Sequence, residues 1–111
     1  MQLDLIPHIN PIHRVCGQSL EDQFYAFHAA NPQVYAALRS LALSMRLRGV
    51  RRAGIGQLFE VLRWQYALQT NGGDFKLNNN YRSFYAHLLN REPELHDMFE
   101  TRTLRWQHYR I

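Results

Sequence analysis

Residues 31–49 read NPQVYAALRSLALSMRLRG, and this stretch decides the fold class. Asn31-Pro32 marks a helix start, an N-cap residue followed by proline at the first helical position. Proline fits there because the N–H it lacks would have no helical partner and its fixed φ already suits a helix. Val34, Tyr35, Leu38, Leu41, Ala42, Met45 and Leu47 then recur at helical spacing as far as Arg48. Gly49 supplies the stop, since glycine enters the left-handed conformation of a helix end without a Cβ penalty. Arg46 and Arg48 occupy the last turn, where cations meet the negative end of the helix dipole.

A helix with an apolar stripe needs partners, and the flanking sequence offers them. Ser19 is an N-cap candidate with Glu21 and Asp22 in the first turn, and Leu20, Phe24 and Phe27 define a helix to about Ala30. Beyond a short link, Val50–Gly54, the residues Ile55, Leu58, Phe59, Leu62 and Tyr66 define a third helix, 55–69. Thr70–Asp74 reads as a turn and Phe75–Leu77 as a short extended piece. Asn78–Asn80 then opens a fourth helix, Tyr81 to about Asn90, with an inward face of Tyr81, Phe84, Tyr85, Leu88 and Leu89. Pro93 starts a further short helix, Glu94–Phe99.

The expectation is a mainly α fold, a single compact domain of four to five helices over residues 18–111. An extended N-terminal arm, 1–17, carries Pro7, Pro11 and Gly17, and a small β element or a basic-aromatic tail follows Thr101. The expected core is Phe24, Phe27, Val34, Leu38, Leu41, Met45, Leu58, Phe59, Leu62, Phe84, Leu88 and Phe99. A chain of 111 residues has room for one such core. Its 46% hydrophobic and 20% charged content excludes a disordered tail or a fibre. No run approaches the roughly 20 apolar residues of a membrane span. The first fifteen residues lack the charged and apolar regions of a signal peptide. Cys16 is the only cysteine and forms no internal disulfide, which fits a reducing cytoplasm.

Charge gives the functional lead. Thirteen Lys+Arg against nine Asp+Glu leave a formal +4, and Lys76 is the only lysine. Guanidinium forks suit phosphate and carboxylate oxygens, although a GC-rich genome would also favour Arg codons. Five arginines and no acid lie between Arg39 and Arg52. Arg46, Arg48, Arg51 and Arg52 are therefore the candidate phosphate contacts, with Asn79, Asn80 and Arg82 approaching bases or backbone. A helix opening in Asn and Arg suggests a helix-turn-helix-like reader of DNA. The link from Thr70 to about Asn80 is long for that motif, so a winged or elaborated variant is implied.

Aromatic residues make up 13% of the chain. Arg105, Trp106 and Tyr109 combine charge and ring in the manner of partner-binding anchors. Metal chemistry has weak support: His8, His13 and Cys16 lack a second ligand cluster, and Glu94, His96 and Asp97 diverge on a helix. No metal or cofactor is expected. No G-x-S-x-G, Walker loop or H-E-x-x-H occurs, so no catalytic residue is assigned. Glu60 with Asp74 and Lys76 superficially matches the acids and lysine of metal-dependent nucleases, but Glu60 falls mid-helix where those enzymes use a sheet.

The segments Phe24–Asn31 (FYAFHAAN), Phe59–Tyr66 (FEVLRWQY), Phe75–Arg82 (FKLNNNYR) and Phe99–Arg102 (FETR) resemble small helical proteins of phages and mobile elements. That resemblance implies a setting and no activity. It suggests a small DNA-binding accessory protein, or one that blocks a host defence complex such as a CRISPR effector. It carries no cofactor and no site residue. The leading expectation is non-catalytic nucleic-acid binding, DNA before RNA; the alternative is a protein-binding inhibitor in a bacterial host cytoplasm.

Overall fold

The computed structural model describes residues 19–69 and 77–101. Four helices, α1 Leu20–Ala30, α2 Pro32–Leu47, α3 Ile55–Gln69 and α4 Arg82–Asn90, make a mainly helical globule. Two 3-10 turns accompany them, Asn79–Tyr81 and Pro93–Leu95. Among the described residues there is no strand, only a single parallel bridge between Ala53 and Phe99.

The helix boundaries follow local chemistry. The Ser19 hydroxyl accepts from the Asp22 amide at 3.1 Å, occupying one of the donors that a helix start leaves open. Asn31 is fully buried and does not cap α2 with its side chain; its backbone N–H and its Nδ2 both donate to the Phe27 carbonyl. The hinge between α1 and α2 thus spends its polar group on closing the first helix, and Pro32 alone starts the second. At the other end of α2, Gly49 has φ +91°. The Gly49 amide donates to Arg46 O and the Val50 amide to Met45 O, each at 3.0 Å. This is a Schellman motif, with Val50 and Met45 both packed against the core as its apolar clasp.

Aromatic packing joins α1 to α4. Phe24 stacks on Phe84 at 4.8 Å between centroids and meets Tyr85 edge-on at 4.9 Å. Such pairs contribute about 1 kcal/mol each beyond the area they bury. Val34, Leu38 and Ala42 of α2, Leu58, Phe59 and Leu62 of α3, and Leu89 of α4 complete the centre. Of the expected core, Leu41, Met45 and Leu88 are only partly buried at its edge. Leu77, Tyr81, Tyr85, Leu95 and Met98 join it.

Three sequence expectations need correction. The helix expected over Glu94–Phe99 is a 3-10 turn, Pro93–Leu95. Asp97 follows at φ 58°, a left-handed position that ends any helix, and Phe99 then runs extended. Phe99 is held by Asn90, whose Nδ2 donates to its carbonyl at 2.8 Å while its amide donates back to Asn90 Oδ1 at 3.0 Å. The fourth helix begins at Arg82, because Asn79–Tyr81 winds as a 3-10 turn capped by the Asn78 side chain. Leu47, counted in the apolar stripe of α2, is 88% exposed. The arm 1–17, the turn and extended piece 70–76, and the segment after Thr101 lie outside the described residues.

Candidate nucleic-acid interface

The candidate site is built on the link between α2 and α3, whose backbone is tied down at Val50, Arg51 and Ala53. The Schellman turn secures Val50, and the Ala53 amide donates to Met98 O at 3.0 Å. Arg46 supplies the brace between them. Its Nε, Nη1 and Nη2 donate to the carbonyls of Glu94, Arg51 and His96, each at 3.2 Å. The guanidinium fork, expected to meet phosphate, here joins the end of α2, the link and the segment after Pro93.

Other arginines are also engaged. The Arg39 Nε pairs with Glu92 at 3.3 Å. Arg63 pairs with Glu60 and donates to Leu77 O at 2.8 Å and to the Asn79 Oδ1, with its guanidinium 5.9 Å from the Phe59 ring centre. Asn79, expected to approach bases, therefore receives an arginine of its own chain. Nothing in the sequence announces the Leu77 contact, which arises only when α3 packs beside the turn at Asn78.

Arg48, Arg51 and Arg52 differ. All three are exposed, and among the described residues none forms an ion pair. No acid occurs in the sequence from Gln23 to Phe59, so the link carries no carboxylate of its own. The bordering segment is acidic: Glu94, Asp97 and Glu100 are exposed there, and His96 Nε2 lies 3.1 Å from Asp97 Oδ2. The link is thus a basic ridge with an acidic margin.

Arg82 joins this ridge through the first turn of α3. Its Nε donates to Asn79 O at 3.1 Å, and its Nη1 lies 3.4 Å from where a Cβ on Gly56 would stand. Gly56 is four residues beyond Arg52, so the basic link and the Asn/Arg opening of α4 meet at the start of α3. Asn80 is exposed beside them. Trp64, on the outer side of α3, is 66% exposed, and Val61 of the same helix is 41% exposed. Trp106, Tyr109 and Arg105, as well as Asp74 and Lys76, lie outside the described residues.

The titrating groups with displaced values belong to the contact among α1, α2 and α4. The Tyr35 hydroxyl is pushed up by burial and by its 2.6 Å hydrogen bond to Glu92. The same bond, with help from Arg39, holds the Glu92 carboxyl low. Burial lowers His28 and raises Tyr85. These groups make a structural polar seam and stand in no arrangement of nucleophile and base. Among the described residues no group of three His, Cys, Asp or Glu side chains is placed to hold a metal ion. No described helix is long and apolar enough to cross a membrane.

No family model, no curated protein and no solved structure matches the chain. The chemistry of the site therefore carries the functional argument alone.

Proposed function

We propose that the protein is a small non-catalytic nucleic-acid-binding protein, contacting duplex DNA phosphates through Arg48, Arg51 and Arg52. The observation that carries this reading is the exposure of those three guanidinium groups, unpaired among the described residues, on a link anchored at Val50, Arg51 and Ala53. An arginine that has spent its donors on its own chain gains little from phosphate. Three unspent ones on a braced ridge retain their full capacity, with little ordering of the backbone required on binding. Arg82 and Asn80 extend the footprint toward the start of α4, while Arg46 and Asn79 are engaged within their own chain.

The expected signature is electrostatic. Each neutralised phosphate releases counterions and contributes about −0.9 to the slope of log K against log salt. Three contacts give a slope near −2.7, or about a 40-fold loss of affinity between 50 and 200 mM salt. Fluorescence anisotropy with a random-sequence duplex tests this. Replacing Arg51 and Arg52 together by Glu abolishes binding, and a protein that ignores the duplex at low salt refutes the reading.

A second reading has one observation in its favour, the exposed Trp64 beside Val61 on α3. Aromatic anchors of this kind mark protein interfaces, and a partner that itself handles nucleic acid would meet the same arginines. Nuclease-treated pull-downs separate the two. A stoichiometric partner that survives nucleic-acid removal and is lost in Trp64→Ala favours an inhibitor or adaptor.

A further inference from the structure

Leu47 is the most exposed large apolar residue described, at 88%, and it stands beside the basic ridge. A lone surface leucine is ordinarily unremarkable. This one is the last residue of α2, at a tip that the Schellman turn and the three Arg46 hydrogen bonds hold in one conformation. Arg48 follows it directly, and Arg51 and Arg52 come four and five residues later.

We infer that Leu47 is a wedge that enters a base step of duplex DNA while the neighbouring arginines hold the flanking phosphates. The assignment rests on the proposed DNA binding and adds a mode to it. Architectural proteins that bind the minor groove insert an aliphatic side chain between base pairs and thereby unstack and kink the duplex. That insertion needs an apolar side chain that protrudes, a backbone that is braced, and cations close to the point of entry. The tip of α2 has the first two, and Arg48, Arg51 and Arg52 supply the third. The charge of the surroundings selects this occupant over a carbon-lined pocket of a protein, because three exposed arginines within five residues of Leu47 suit the closely spaced phosphates of a nucleic-acid backbone.

Two readouts on one complex test the wedge. A duplex carrying 2-aminopurine reports unstacking as a rise in fluorescence, and donor and acceptor dyes at its ends report bending. The wild-type protein is expected to raise 2-aminopurine fluorescence at least two-fold and to increase energy transfer. Leu47→Ala is expected to lose both signals and to bind several-fold more weakly, with the salt slope unchanged. Leu47→Met restores them. Because the side chain is exposed, the Ala variant folds, and a thermal melt matching wild type verifies this. Salt-dependent binding with no unstacking, or unstacking that persists in Leu47→Ala, overturns the wedge and leaves the phosphate contacts standing. Absence of salt-dependent binding overturns both. A Leu47→Ala variant that keeps wild-type DNA affinity and fluorescence but loses a captured protein partner assigns the leucine to that partner and overturns the wedge.

Discussion

Replacing Arg46 by Ala removes three hydrogen bonds that join the end of α2, the link and the segment after Pro93. The carbonyls of Glu94, Arg51 and His96 regain water, so no buried group is stranded. Each bond then counts at a modest net value, about 0.5–1 kcal/mol, for a total loss near 2 kcal/mol. With a urea m-value of about 1.3 kcal/mol/M, the unfolding midpoint falls by about 1.5 M. Urea titration followed by circular dichroism measures it. The same variant, refolded and titrated with duplex DNA, keeps the wild-type salt slope, because Arg46 touches no phosphate. Arg51→Ala shows the reverse pattern: unchanged stability and a slope smaller by about 0.9. A stability loss below about 0.5 kcal/mol in Arg46→Ala, accompanied by a reduced slope, would refute the brace and return Arg46 to the phosphate-binding group.

Other expectations follow from the same contacts. Gly49→Ala, at φ +91°, loses about 1 kcal/mol because the new Cβ disfavours the left-handed turn; a thermal melt reads it. Two tyrosine variants should diverge in chemical denaturation. Tyr35→Phe gives up the hydrogen bond to Glu92 and loses about 1 kcal/mol at pH 7, whereas Tyr85→Phe is neutral or stabilising, because that buried hydroxyl has no hydrogen-bond partner among the described residues. The Tyr35→Phe deficit shrinks in acid: the folded Glu92 carboxyl titrates below its ordinary 4.5, so the stability it contributes is present above that pH and is lost as pH falls through the folded value. His28 adds a second pH dependence. Its folded value lies below 6.5, so the unfolded chain binds more protons and stability declines as pH falls below 6.5; His28→Gln removes that decline, and a melt series from pH 7.5 to 5 that is unaltered in the variant rejects the assignment.

Much of this fold was legible without coordinates because its signals are local. Ser19, Pro32 and Gly49 act within one turn of their own position, and the apolar spacing of residues 32–47 and 55–69 admits only helices. Proline at 93 misled because a helix start says nothing about length. Asp97 in a left-handed conformation ends the turn, and Asn90 then claims Phe99 from nine residues away.

The sequence by itself determined that the chain is helical, that it is basic, and that its arginines crowd the end of α2 and the link beyond. Only the tertiary structure decided which of them remain free. Charge is a property of composition, but availability depends on what each guanidinium meets once distant segments pack together. Arg46 meets carbonyls some fifty residues away, Arg63 meets the turn before α4, and Arg48, Arg51 and Arg52 are exposed and form no ion pair among the described residues. Long-range contacts of this kind leave no periodic trace in a sequence, since any exposed arginine satisfies the same pattern.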